Sequence, residues 1–214
     1  MPIPKDTISR TFYALRSLGP SAFCSVLLSM LFSVNHYYLM GKNIAPPEEE
    51  TPATPPVPLA KMTAEDLAVL QESVQSLGPV DRREVLARLL FYEDGFENCY
   101  VIKKGGEIVY LQWVIFPTEN RTIEKHYAGK FYPLSDRQVM VENAFTFPRH
   151  RGKGHLLHGT QHLLQLARER GYSSAICYIR KDRIASLNEF ARMGFRIVKM
   201  LTEYKVLGRA WRTL

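Results

Sequence analysis

Beyond residue 60 the apolar and polar positions follow regular periods that change from one stretch to the next. Thr63, with Asp66 three residues on, reads as a capping box opening a helix with Leu67, Leu70 and Val74 on one face. Pro79 and Asp81 open a second helix, whose apolar side is Val85, Leu86, Leu89 and Leu90. Asn98 to Ile102 and Glu107 to Phe116 are strand patterns, joined through Gly105 and Gly106, which supply the positive φ angles of a tight hairpin. Pro117 to Arg137 shows no period and reads as a polar, irregular connection; it contains the sequon Asn120-Arg121-Thr122. Val139 to Phe147 alternates as a strand and stops at Pro148. At 100° per residue, Leu156, Thr160, Leu163, Leu164 and Ala167 then share one helical face, with Gly171 as the stop. Ser174 to Ile179 (strand), Ile184 to Met193 (helix) and Phe195 to Val206 (strand) complete the pattern.

The first 61 residues divide differently. Ser17 to Gly41 carries no Asp, Glu, Lys or Arg and follows Lys5, Arg10 and Arg16, as a membrane anchor or signal sequence would. Its compact apolar part, Phe23 to Val34, is too short to span a bilayer, and serines at 21, 25, 29 and 33 line one helical side opposite Leu27, Leu31 and Val34. A packing helix followed by a strand near Tyr37 to Met40 is therefore preferred to membrane association through residues 17–41. Ala45 to Leu59 holds six prolines around Glu48, Glu49 and Glu50 and reads as an extended linker or surface loop. The expected organisation is a helical extension with a first strand (1–42), a proline-rich loop (43–61) and an α/β or α+β domain (62–214).

The chain has 214 residues, 46% hydrophobic and 23% charged, which suits a globular protein with a substantial core. A net charge of +7 and a pI near 9.3 favour an anionic partner without choosing between a phosphorylated carrier, nucleic acid and an acidic membrane. Nucleic acid is disfavoured, because no aromatics interleave with Lys/Arg on strands and no helix-turn-helix pattern appears. Cys24, Cys99 and Cys177 show neither metal nor disulfide spacing, which points to a reducing, cytoplasmic setting. His155, His158 and His162 share a helical side opposite the leucines, but no acid or cysteine joins them, so no metal is expected.

The chemistry concentrates at Phe147-Pro-Arg-His-Arg-Gly-Lys-Gly-His-Leu156. A helix opening at a glycine turn aims unpaired N–H groups outward with the positive end of its dipole behind them, and Arg149, Arg151 and Lys153 add cations there. Such a strand–turn–helix is a seat for a diphosphate. It is neither a P-loop nor a dinucleotide fingerprint. It resembles the acyl-CoA loop of the GNAT acetyltransferase superfamily, Arg/Gln-x-x-Gly-x-Gly/Ala, here Arg151-Gly-Lys-Gly154-His-Leu156, with Leu156 where the family has a small residue. A second family pattern, Asn-x-x-Ala/Ser-x-x-x-Tyr-x-x-x-Gly-Phe, is met by Arg183, Ser186, Phe190, Gly194 and Phe195, three positions of five agreeing.

That resemblance implies a mostly antiparallel, twisted sheet flanked by helices, the two helices after the first strand walling an acceptor site. It implies transfer of an acetyl group from acetyl-CoA to a primary amine by direct attack in a ternary complex. Ala144, Phe145 and Thr146 would pair with the pantetheine. Arg149, Arg151, Gly152, Lys153, Gly154, His155 and Leu156 would hold the diphosphate, with Arg183, Ser186 and Phe190 beside the carrier. Glu142, taken to share a side with Ala144 and Thr146, is the expected base, with Glu97 and His126 behind it. Phe190 stands where the family has an acidic tyrosine and cannot donate a proton, leaving Tyr178, water or an unassisted thiolate. The same phenylalanine suits a rival reading, a carrier-binding sensor without catalysis.

Overall fold

The computed structural model describes residue 24 and residues 32–45, 58–206 and 209–213. The helix expected before residue 32 and most of the proline-rich loop lie outside the described residues. Among the described residues eight strands form one sheet: β1 (Phe32–Asn43), β2 (Leu59–Lys61), β3 (Cys99–Lys104), β4 (Glu107–Ile115), β5 (Gln138–Thr146), β6 (Ser174–Arg180), β7 (Arg196–Val206) and β8 (Arg209–Arg212). Among the described residues five α-helices flank it: α1 (Ala64–Ser73), α2 (Pro79–Glu93), α3 (Asn120–Tyr127), α4 (His155–Glu169) and α5 (Ile184–Arg192). The sheet is mixed and mostly antiparallel, as expected.

Local chemistry accounts for most of these elements. Thr63 and Asp66 close the capping box, each side chain bonded to the other's backbone N–H. Gly105 and Gly106 turn the β3–β4 hairpin with φ of 58° and 83°. Leu70, Val74, Val85, Leu86 and Leu89 bury the apolar sides of α1 and α2 on one sheet face, among Leu111, Trp113 and Met140. Leu163, Leu164 and Ala167 of α4 and Phe190 of α5 bury against the opposite face. Gly159 lets α4 lie close on β4, since a Cβ there would sit 2.3 Å from the Tyr110 ring.

Four features depart from the sequence reading. Residues 120–127 form α3 rather than irregular chain; only Ile123 is buried there, too few apolar positions to show a period. Asn120 bonds the Leu134 backbone both ways, Nδ2 to its carbonyl and Oδ1 from its N–H, each at 2.8 Å. β1 begins at Phe32, so Ser33 and Val34 belong to the strand and not to a helix. In the sheet order β2-β3-β4-β5-β6-β1-β7-β8, β1 lies between β6 and β7, antiparallel to both, while the short β2 takes the edge beside β3. Leu59, the last residue of the proline-rich stretch, thus opens an edge strand directly after Pro58.

The fourth departure shapes the site. β5 and β6 are the parallel pair, and their pairing ends after Gln138–Ser174, Val139–Ala175 and Met140–Ile176. Beyond Met140 the two strands part. On its other edge β5 pairs with β4, Trp113 opposite Glu142 and Leu111 opposite Phe145, so Gln112 faces two residues, Asn143 and Ala144. This is a β-bulge, and Asn143 turns it with φ of 56°, in a region few residues other than glycine adopt.

Candidate active site

The bulge changes which way each side chain faces. An extra residue in one strand reverses the alternation beyond it. Glu142 therefore shares its face with Phe145, toward α1 and α2, while Ala144 packs with Tyr110 and Leu156 on the α4 side. Glu142 is not on the side of Ala144 and Thr146, as plain alternation required. It stands at the point where β5 and β6 part and spans it: Oε1 accepts the N–H of Tyr178 on β6 at 2.6 Å, and Oε2 that of Asn143 on β5 at 3.3 Å. Burial pushes its carboxyl up to about 7, against the pull of those N–H groups, Arg212 and Arg88. A carboxylate tuned there suits a base working near neutrality.

The open edge of β5 is tended by arginines. Arg88 of α2 donates from Nε to the Asn143 carbonyl and from Nη2 to that of Ala144, both at 2.9 Å. It also bonds the Glu84 backbone and carboxylate and lies 5.0 Å over the Phe145 ring. Arg151 donates to the Thr146 carbonyl at 3.2 Å and pairs with Asp81 in the first turn of α2. The Ala144 and Thr146 carbonyls are thus already satisfied, and what this edge keeps for a ligand is N–H donors. Arg151 braces the turn to α2 instead of adding free charge to it.

Arg149 and Lys153 are exposed and make no ion pair among the described residues. Gly152 and Gly154 both hold φ at 74°, and Gly154 is the N-cap of α4 without a side-chain cap. The first helical backbone bond closes only at His158, from its N–H to the Gly154 carbonyl, so the N–H groups of 152–157 find no backbone acceptor among the described residues. Leu156 is half-buried and packs against the cluster of Ile102, Val109 and Tyr110. An αL turn with unspent N–H groups, two unpaired cations and a 15-residue helix behind it fits the diphosphate of a CoA carrier.

The sequence sets His155 with His158 and His162 on the side of α4 opposite the leucines, a solvated or partly carrier-facing row. His155 is 2% exposed, with neither ring nitrogen hydrogen-bonded. Burial and the neighbouring Lys104, His150, His158 and Lys153 favour its neutral form. No group of three or more His, Cys, Asp or Glu among the described residues suits a metal ion.

On β6 and α5 the expected residues disperse. Arg183, half-exposed, pairs with Glu84 of α2 at 2.5 Å and so reaches across the mouth of the parting. Burial would raise Glu84, but Arg88 and Arg183 together hold it below the usual carboxylate range. Ser186 is half-buried and makes no hydrogen bond among the described residues. Phe190 is buried, packed edge-on against Phe195 at 5.0 Å. The Cys177 thiol is buried and pushed well up, which removes it as a nucleophile. Glu97, just ahead of β3, and His126, in α3, are both exposed; Asp94 accepts from Tyr127 at 3.1 Å.

Arg88 and Arg212, which sequence reasoning passed over, complete the α2 side. Arg212 of β8 is buried, 3.8 Å over the Tyr37 ring and 5.1 Å from that of Tyr178, and donates to Glu203 at 3.1 Å. Tyr178 accepts the Tyr132 N–H at 2.8 Å. Arg88 had a signal, a cation inside the apolar run Val85–Leu90; Arg212 had none, because β8 is short and terminal.

No protein-family profile matches the chain, and no curated protein matches it in sequence. Solved structures do. A protein described as a GNAT-family acetyltransferase from Novosphingobium aromaticivorans superposes with a TM-score of 0.54 at 12% identity, over 79% of this chain and 63% of its own. A GNAT-family acetyltransferase from Colwellia psychrerythraea gives 0.51 at 14% identity, over 87% and 60%. A GCN5-related glucosamine N-acetyltransferase region of a fungal multi-domain β-N-acetylglucosaminidase gives 0.54 at 13% identity, over 99% of this chain and 23% of that one. The chain thus spans about three-fifths of the length of the first two. At these identities the likeness concerns architecture, and with the parted strands and the glycine turn it leads to one statement: the chain has the GNAT acetyltransferase fold.

Proposed function

We propose that the protein is an N-acyltransferase that moves an acetyl group from acetyl-CoA to a primary amine of a small molecule, in a reducing compartment such as the cytoplasm. The observation that carries the reading is the parting of β5 and β6, with a near-neutral carboxylate at its apex and an unfilled ring of N–H donors at its mouth. The N–H groups of 152–157, with Arg149 and Lys153, would hold the diphosphate. Glu142 would take the proton of the amine, directly or through water, as the nitrogen attacks the thioester carbon. The carbon–sulfur bond then breaks, and the thiolate leaves with a proton from water, since Phe190 has none to give. Cys177 has no part in it, which keeps the reaction a direct transfer.

Incubating the protein with acetyl-CoA and a panel of amines, and reading free thiol release together with the acetylated product, tests this. Amine-dependent thiol release supports the reading. Tight binding without release for any amine supports the second one, a carrier-binding sensor, which the buried Phe190 favours.

A further inference from the structure

Arg88 is a buried guanidinium in the middle of an apolar helix face, a costly placement that needs every donor satisfied. Each of its three nitrogens donates, four bonds in all, and the partners are an unusual set. Two successive carbonyls of one strand, those of Asn143 and Ala144, accept from the same side chain. Successive carbonyls of a regular strand point to opposite edges, so one fork reaches both only because Asn143 turns the backbone at φ of 56°.

The peptide group is planar and trans, so the N–H of Ala144 points opposite to the Asn143 carbonyl. With that carbonyl held toward α2, the N–H is aimed away from α2, toward the side of α4 and its glycine turn. β4 does not take it. Val114 donates to Asn98 ahead of β3, and by the alternation of an antiparallel ladder Gln112, two residues back and paired with Tyr100, also turns its backbone groups to β3. The Asn143 N–H goes to Glu142. The N–H of Ala144, the second residue of the bulge, is left as an unspent donor among the described residues, on the side away from α2.

We propose that Arg88 is a positioning residue for acyl transfer: by clamping the Asn143 and Ala144 carbonyls it aims the Ala144 N–H at the thioester oxygen. This rests on the acyl-transfer reading above. As the amine attacks, that oxygen gains negative charge, and a donor already fixed in direction stabilises it without reorganising. Glu84 keeps the guanidinium in place at 2.9 Å, and Arg183 holds Glu84 from the other arm of the parting, so the clamp is anchored on both sides of the cleft. Lysine cannot replace it, since a single ammonium has no planar fork to span two carbonyls.

The test uses the full chain and two readouts. The first is steady-state transfer by Arg88→Lys and Arg88→Gln. Loss of a well-placed donor costs on the order of 100-fold and a misplaced one roughly 10- to 100-fold, so kcat should fall in that range. KM for acetyl-CoA, and the affinity for CoA, which lacks the thioester oxygen, should stay within about twofold. A folded Arg88→Lys protein with the wild-type kcat overturns the proposal, as does a fall in kcat matched by an equal fall in CoA affinity. The second readout is the Ala144 amide resonance of the unmodified protein, which needs neither turnover nor a stable variant. It should move more with acetyl-CoA than with CoA; equal shifts with the two overturn the proposal. If neither ligand moves any amide of residues 152–157, the acyl-transfer reading itself fails, and that outcome is distinct from the others.

Discussion

The N–H of Tyr178 donates to Oε1 of Glu142 at 2.6 Å across the point where two parallel strands separate. The carboxylate thereby replaces a lost ladder acceptor and stands next to the open edge, so one side chain serves both the sheet and the candidate chemistry. The two uses can largely be separated, because a glutamine keeps one acceptor oxygen for Tyr178, although its NH2 cannot accept from Asn143, and it loses the ability to take a proton.

Glu142→Gln should lower kcat by about 100- to 1,000-fold, within the range of a lost general base. In the wild type kcat/KM should rise with pH and level off above about 7, where the carboxyl ionises; the variant should lose that inflection. A rate-against-pH series on both proteins checks it.

The same carboxyl makes stability depend on pH in a defined direction. Its folded value, about 7, lies above the ordinary 4.5, so the folded protein binds more protons than the unfolded one between those values. Stability from this group is therefore lost as pH rises through that window, by at most about 3 kcal/mol. Glu142→Gln should gain on the wild type in Tm as pH goes from 5 to 8. A difference that stays flat, or shrinks, contradicts the burial of this group.

Much of this fold was legible because it is written locally. The capping box at Thr63, the paired glycines at 105 and 106 and the leucine stripe of α4 each announce their element through neighbours in sequence. The glycine-basic turn was legible for the same reason. What sequence could not show depends on distant pairing. Nothing near Asn143 marks a bulge, since the extra residue is defined only against Gln112 of β4, and so the side of Glu142 came out reversed. β1 was found as a strand but its slot between β6 and β7 is a tertiary choice. Arg151 looked like a free cation until Asp81, 70 positions earlier in the chain, was beside it.

The Arg151–Asp81 pair lies at the surface, so breaking it should cost within about 1 kcal/mol of stability. Its effect should fall on the turn instead. Asp81→Asn should leave Tm nearly unchanged while CoA affinity drops several-fold. Lys153→Ala, which removes an unpaired cation, should weaken CoA about tenfold, with a shallower salt dependence than the wild type. Titrations at two salt concentrations compare them.

Gly159 tests how closely α4 must approach the sheet. Alanine there places Cβ 2.3 Å from Tyr110 Cε1, beneath a ring whose hydroxyl is fixed to Gln112 at 2.6 Å. Gly159→Ala should destabilise the protein by about 1–3 kcal/mol despite alanine's better helix propensity. Chemical unfolding would read it, and a stabilised variant would contradict the close packing.

Acyl transfer at this site requires the amides of residues 152–157 to hold a thioester carrier. Isothermal titration with CoA and with acetyl-CoA measures that most directly. A saturable heat at one site per chain, weakened by Lys153→Ala and unaffected by Glu142→Gln, is the expected result; no heat from either ligand with the folded protein would contradict it.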